Sequence, residues 1–453
     1  TDQQWAFFPS VSGGWRVSEE AFWKVNPDLF SNLKIRASYG SLGNGNVSPY
    51  SFLELLSIST SGRVLNGLKN KYTSAPAVMP DGLTWETATT TDVGLDFGML
   101  NNRLQFNGDY YIRKTTDMYT VGETLPDVFG ASSPKGNYAD MTTKGWEITL
   151  TWRDQFTLAE KPFNYEIRGT LSDYISTIDR YNNQTGNLDD YYAGKRVGEI
   201  WGYVTEGLFK DQADIDSHAD QTLIQSSSKR ITYPGDVKIK DLNGDHVIDY
   251  GNNTVDDHGD KTVIGNALPR YAYSINLSGD WNNFFLSAFF QGVGKQDWYP
   301  SSECIFWGQY NRPYNNMPTW HQGNYWTEDN TDAYLPRYAG YNASLKSTPQ
   351  TRYLQNVAYI RLKNLQFGYT LPQPIVSKAK LQNVRAYISA ENLWCWSPLY
   401  KHTRDLDVTN IYGSDPDLTD ADMSSGLNGN RGSGDGNSYP QMKSVSLGLS
   451  VTF

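Results

Sequence analysis

The sequence predicts an all-β protein, a transmembrane antiparallel β-barrel supplying about eleven strands of an expected plugged barrel of about 22. Three observations carry this. Apolar and polar residues alternate along segments of about ten residues, the length a tilted strand needs to cross a bilayer. The links between those segments are alternately short and long. Aromatic residues are abundant, with Tyr 31, Phe 18 and Trp 14 making 14% of 453 residues, as in the aromatic girdles of membrane barrels.

Strands are expected at 8–17, 33–41, 84–98, 103–114, 143–153, 163–176, 270–280, 284–294, 357–370, 383–393 and 443–453. Alternation is clearest in four of them. Val93, Leu95 and Phe97 interleave with Asp92, Gly94 and Asp96. Leu104, Phe106, Tyr110 and Ile112 interleave with Gln105, Asn107, Asp109 and Arg113. Trp146, Ile148, Leu150 and Trp152 face away from Glu147, Thr149, Thr151 and Arg153. At the end of the chain Val445, Leu447, Leu449, Val451 and Phe453 alternate with Ser444, Ser446, Gly448, Ser450 and Thr452.

Short links fall at 100–102, 154–162, 281–283 and 371–382, and long ones at 42–83, 115–142, 177–269, 295–356 and 394–442. Turns on one side and long loops on the other are the rhythm of an outer-membrane barrel, with the long loops outside the cell and the C-terminus in the periplasm. A soluble β-sandwich has no reason to keep that rhythm. Bacterial single-chain barrels have an even strand count, and an open sheet leaves unpaired edges in lipid. Eleven strands are therefore expected to close against further strands of the same protein. The chain starts Thr-Asp-Gln-Gln without a Met or a charged leader, and the expectation is a cut end with the export signal upstream.

Composition excludes several classes. Only 38% of residues are hydrophobic, and no apolar run approaches the length of a transmembrane helix. A net charge of −10 with no basic run argues against nucleic acid. Two cysteines, Cys304 and Cys395, do not make a disulfide scaffold. Both are placed in consecutive extracellular loops, where the oxidising compartment allows a bridge between them.

Several blocks together resemble SusC-like and RagA-like TonB-dependent transporters of the Bacteroidetes. They are FFPSVSGGWRVSEEAF (7–22), LKIRASYGSLGN (33–44), WETATTTDVGLDFGMLNNRLQFNGDYYIRKTTDM (85–118), TKGWEITLTW (143–152), PGDVKIKDLNGDHVID (234–249), YIRLKNLQFGYTLP (359–372) and the SVTF end. The resemblance covers essentially the whole chain. It implies the C-terminal half of a barrel in the outer membrane, with an N-terminal plug and first barrel half lying outside this chain. It also implies energy through TonB, a SusD-like surface lipoprotein as lid, and import of oligosaccharides. Peptide, siderophore or vitamin cargo are alternatives on the same fold. A secreted glycan-binding or glycan-degrading β-protein is the alternative from another class.

Two loops hold candidate sites. Asp241, Asn243, Asp245, the Val247 carbonyl and Asp249 stand at positions 1, 3, 5, 7 and 9 of an EF-hand-like loop, a spacing that suits a structural Ca²⁺. His246 stands where Gly is usual and Asn252 where a bidentate Glu is usual, with Asp256, Asp257 or Asp260 available as a further carboxylate. The alternative is an acidic, solvated loop of Asx turns. The 295–356 loop gathers Trp298, Tyr299, Phe306, Trp307, Tyr310, Tyr314, Trp320, Tyr325 and Trp326. Of these, Trp298, Trp307, Tyr310, Trp320, Tyr325 and Trp326 are the candidates for contact with a sugar or a protein lid, against the alternative that they pack the loop on itself.

No catalytic constellation appears. The five histidines form no HExxH pair, and there is no GxSxG, P-loop or CxxC. The expectation is a transporter rather than an enzyme, without an organic cofactor.

Overall fold

Successive side chains of a strand point to opposite faces, and each predicted segment becomes one strand of a single sheet. In the computed structural model these are β1 (Ser10–Arg16), β2 (Phe30–Asn44), β3 (Glu86–Met99), β4 (Leu104–Val121), β5 (Lys135–Leu158), β6 (Lys161–Arg180), β7 (Arg270–Trp281), β8 (Phe284–Lys295), β9 (Tyr359–Thr370), β10 (Asn383–Trp396) and β11 (Ser444–Thr452). The structure describes residues 5–45, 53, 56–74, 82–122, 128, 133–225, 231–300, 304–310, 316–338, 348–409, 411 and 441–453. The strands lie side by side in sequence order, each antiparallel to the next. Among the described residues β1 and β11 each pair on one side only, so the sheet is open.

The register sorts the side chains by chemistry. One cross-strand row reads Trp152, Ile167, Leu277, Ala288, Leu365, Ala390 and Val445. The next row toward the turns reads Tyr165, Gly279, Leu286, Phe367, Ile388 and Leu447. Beyond it Phe156, Phe163, Trp281, Phe284 and Tyr369 form an aromatic row. Leu286, Phe367 and Ile388 are each nearly half exposed. A continuous apolar face of this size is stable against hydrocarbon and not against water.

The opposite face is polar and paired. Arg36 binds Asp96 at 2.8 and 2.9 Å and Asp109 at 3.0 Å, and Asn107 donates to Asp96 at 2.9 Å. Hydroxyl pairs Thr143–Ser176 and Thr170–Ser274 bridge neighbouring strands at 2.8 and 2.6 Å.

Turn chemistry fixes the end with short links. Asn282 and Asn283 take φ of 46° and 69° in a two-residue hairpin turn, the conformation in which Asn is favoured. The link expected at 154–162 is only Ala159 and Glu160, because β5 and β6 continue to Leu158 and from Lys161. Both turn residues are left-handed, with φ of 47° and 61°. A side chain there costs about 1 kcal/mol that Gly avoids. Glu160→Gly is therefore expected to stabilise the barrel by about 1 kcal/mol, read as a higher urea midpoint with an unchanged m-value.

The loop expected at 115–142 is mostly strand. β4 and β5 run on to Val121 and from Lys135, and β5 reaches 24 residues, well past the roughly ten that span a bilayer. Their outer parts are built differently. A bulge lies between Thr115 and Met118, and Arg180 binds Asp140 and Asp117 at 2.8 and 2.9 Å. Ion pairs replace the apolar alternation there, which is why the period-two signal stops near residue 114.

Parts of 177–269, 295–356 and 394–411 fold into one cap at the loop end, while Ile58–Leu65 and Leu68–Thr73 of the 42–83 link form a separate exposed hairpin. Short ladders join Glu199–Tyr203 to Lys261–Asn266, Thr205–Leu208 to Val237–Ile239, and Asp297–Trp298 to Gln355–Asn356. Their apolar side chains meet in a core of Tyr203, Val237, Ile239, Ile248, Trp298, Phe306, Trp307, Tyr310, Leu335, Tyr353, Leu399 and Leu406.

Candidate functional site at the cap

The 295–356 aromatics divide into two groups. Trp298, Trp307 and Tyr310 are fully buried. Trp307 donates its indole N–H to the Pro300 carbonyl at 3.2 Å and lies edge-on to Phe306 and Tyr353, with centroids 5.1 and 5.2 Å apart. Tyr310 donates to the Pro336 carbonyl at 2.6 Å and packs tilted against Tyr338 with ring centroids 4.1 Å apart. Trp298 meets Phe306 at 6.3 Å. These three present no surface to a sugar or a lid in this structure. They join chain segments far apart in sequence, and large apolar rings gain most by full burial.

Trp320, Tyr325 and Trp326 are half-buried on the outside of the same core. Trp320 packs between Phe306 at 5.0 Å and His402 at 5.5 Å, edge-on to His321 at 4.3 Å. Tyr325 lies edge-on to Tyr338 at 5.2 Å. Trp326 rests on Gly235, where φ is 85° and an added Cβ would lie 2.5 Å from the indole, so only Gly fits beneath it. Tyr314 lies outside the described residues.

Behind this rim sits His321, fully buried, a residue that no motif singled out. One ring nitrogen is 2.9 Å from the Phe306 carbonyl oxygen and the other 2.9 Å from the Tyr338 hydroxyl. Burial pushes its pKa down to about 4, partly offset by the Phe306 carbonyl. It is a neutral structural histidine at pH 7.

The acidic loop is held by Asx turns. Asp241 accepts from the N–H of Gly244 at 2.6 Å and of His246 at 2.9 Å, and these bonds, Gly244 first, hold its carboxyl below the ordinary range. Asn243 accepts from Asp245 N–H at 3.0 Å, Asp245 from Val247 N–H at 2.8 Å, and Asp249 from Gly251 N–H at 2.9 Å. His246 takes φ of 67°, the left-handed conformation for which Gly is usual. Asp260, fully buried, takes the N–H of Leu242 at 2.7 Å and of Asp249 at 2.9 Å, clamping both ends of the loop. Among the described residues no three His, Cys, Asp or Glu side chains gather at metal-holding distance. As placed, the oxygens serve the loop's own backbone.

Cys304 and Cys395 are both thiols in this structure. The placement in consecutive loops is corrected. Cys395 lies within β10, opposite Arg361 of β9, where the Tyr400 hydroxyl approaches its sulfur at 3.7 Å. Cys304 is buried in the cap beside Phe306.

One buried ion pair was not foreseen. Arg361 and Asp407 are bonded to each other with only 6% of each side chain exposed. Asp407 also accepts from the N–H of Gln441 at 2.9 Å and of Thr409 at 3.0 Å, and Gln441 accepts from Arg361 at 2.6 Å and Lys363 at 3.1 Å. Residues 407 and 441, on either side of a long link, are thereby tied to β9.

A family profile described as "TonB dependent receptor-like, beta-barrel" matches residues 1–393. The chain belongs to that family. Two similar curated proteins of this TonB-dependent receptor family are TonB-dependent receptor P26 of Formosa agariphila and SusC of Bacteroides thetaiotaomicron. P26 is 27% identical over 100% of this chain and 43% of its own length. SusC is 23% identical over 100% of this chain and 40% of its own length. The chain thus spans less than half the length of the curated relatives it matches. Among solved structures, the RagAB peptide transporter superposes with a TM-score of 0.69 at 20% identity, over 100% of this chain and 44% of that one. The RagAB importer in its "closed-closed" state gives 0.66 at 19% identity over 88% of this chain and 40% of that one. At that identity the likeness concerns the fold, the SusC/RagA-like barrel.

Proposed function

We propose that this chain is part of a TonB-dependent importer that brings oligosaccharides across the bacterial outer membrane with a SusD-like surface lipoprotein as its lid. The sheet with one apolar and one polar face, closed at its loop end by an aromatic cap, supports this reading best. In it the apolar face meets lipid, the polar face lines the lumen, the turns lie in the periplasm and the cap faces outward. Energy would come through TonB, acting on parts of the transporter beyond these residues. Trp320, Tyr325 and Trp326 are the rings left to meet cargo or lid. The work is binding and gating rather than bond chemistry, so no residue is assigned a catalytic role.

Trp320→Ala and Trp326→Ala in the full transporter–lid complex are expected to weaken oligosaccharide binding about tenfold each, as loss of a stacking ring should. The measurement is calorimetry with maltooligosaccharides, beside a mixed oligopeptide pool. Unchanged glycan binding in both variants would remove the reading. Peptide cargo is the second reading, favoured by the likeness to a peptide transporter, and binding of the peptide pool alone would establish it.

A structural Ca²⁺ at Asp241, Asn243, Asp245, the Val247 carbonyl and Asp249 belongs to the same proposal and requires the four polar side chains to turn inward. Calcium added to chelator-treated transporter at a hundredfold excess over Kd is expected to stabilise the cap by about 2.7 kcal/mol. No heat of binding and no shift in Tm would dispose of it.

A further inference from the structure

The apolar face of the sheet carries a depression over β6, β7 and β8. Gly279 forms the floor of a groove of about 360 Å³ walled by Phe156, Phe163, Tyr165, Ile167, Leu277 and Leu286. The register explains it. In the row Tyr165, Gly279, Leu286 the middle strand offers no side chain, while Phe163 and Trp281 stand beside each other one row nearer the turns. Phe156 and Phe163 pack 5.0 Å apart and Phe163 and Tyr165 6.1 Å apart, which makes the wall stiff. A Cβ at Gly279 would lie 3.4 Å from the Phe163 ring and 3.3 Å from the Asn164 carbonyl oxygen, closing the floor.

A cation lies beyond the groove toward the turn, on the same strand face. Lys161 is exposed, pairs with Leu158 at the hairpin end, and shares its face of β6 with Phe163 and Tyr165. It lies four residues from Tyr165, roughly 13 Å along the strand. Trp281, whose indole N–H donates to the Leu158 carbonyl at 2.9 Å, marks the same level as the polar boundary, where Trp rings collect.

We propose that this groove holds one anionic glycerophospholipid of the turn-side leaflet, with an acyl chain over Gly279 and its phosphate against Lys161. An apolar groove with a lysine turnward of it on the same strand face suits that amphiphile in charge. A bound lipid there covers the seam between β6, β7 and β8. The inference rests on the membrane reading of the sheet.

The test is native mass spectrometry of the full transporter purified in detergent and titrated with palmitoyl-oleoyl-phosphatidylglycerol. Wild type is expected to retain one lipid. Gly279→Leu, which occupies the space of at least two methylenes, should weaken retention about tenfold. Lys161→Glu should weaken it about fivefold. Ala37→Leu, on the same face away from the groove, should leave it unchanged. Equal retention in all four proteins overturns the proposal. Lys161 is exposed at the first position of β6, beside the turn, so its variant decides the matter even where Gly279→Leu fails to insert. A transporter that stays monodisperse without detergent would instead defeat the membrane reading itself, a separate outcome.

Discussion

Arg361→Met is expected to destabilise the cap by about 3–5 kcal/mol, because it strands the Asp407 carboxylate in a buried site. The pair does not earn its place by Coulomb attraction alone, since taking both charges out of water costs much of what they regain. Removing one partner is a different matter: the desolvation of the other is then uncompensated. The double variant Arg361→Met/Asp407→Leu should recover most of the loss, and a double-mutant cycle measured by urea unfolding separates the two effects. Acid gives an independent readout. Burial raises the Asp407 pKa, but the N–H groups of Gln441 and Thr409, the Thr409 hydroxyl and Arg361 outweigh it and hold the carboxyl below its ordinary value. A depressed folded pKa means stability that is complete above the unfolded value of about 4 and is lost as pH falls through the folded one. Without Arg361 that loss should begin at higher pH. His321 adds to it earlier: neutral and buried with a pKa near 4, it should withdraw up to about 3 kcal/mol as pH falls from about 6.5 to 4.

The barrel was legible in the sequence because lipid and lumen impose opposite chemistry on alternate residues, and because Asn282–Asn283 and Leu100–Asn101–Asn102 mark their turns directly. All eleven expected strands appear in one sheet in chain order. The signal failed where the cause was absent. Past the bilayer, β4, β5 and β6 are held by Arg180, Asp140 and Asp117, and a strand with polar residues on both faces reads like a loop. The cap was illegible for another reason. Its core is assembled from short pieces of 177–269, 295–356 and 394–442, none with enough periodicity to announce burial. The sequence therefore left Trp298, Trp307 and Tyr310 open between contact with cargo or lid and packing of the loop on itself. Arg361 and Asp407 looked like two unrelated charges 46 residues apart.

Trp307→Ala separates folding from cargo contact, and the expected result is a cap destabilised by about 3–5 kcal/mol. Trp307 is fully buried, touches Phe306 and Tyr353 at right angles, and leaves the Pro300 carbonyl without its donor when truncated. The cavity would be larger than one a buried methyl leaves, and the surrounding rings, stiff and mutually packed, cannot collapse into it. Its effect on uptake should follow cap stability: lost at a temperature where the variant cap is unfolded, and restored on cooling below that point. Trp320→Ala and Trp326→Ala should behave in the opposite way, changing binding at every temperature with a smaller change in Tm, since both rings are only partly buried at the edge of the core. A Trp307 variant with native Tm and absent uptake would show that this ring meets cargo after all, and would require the cap to open widely enough to expose it.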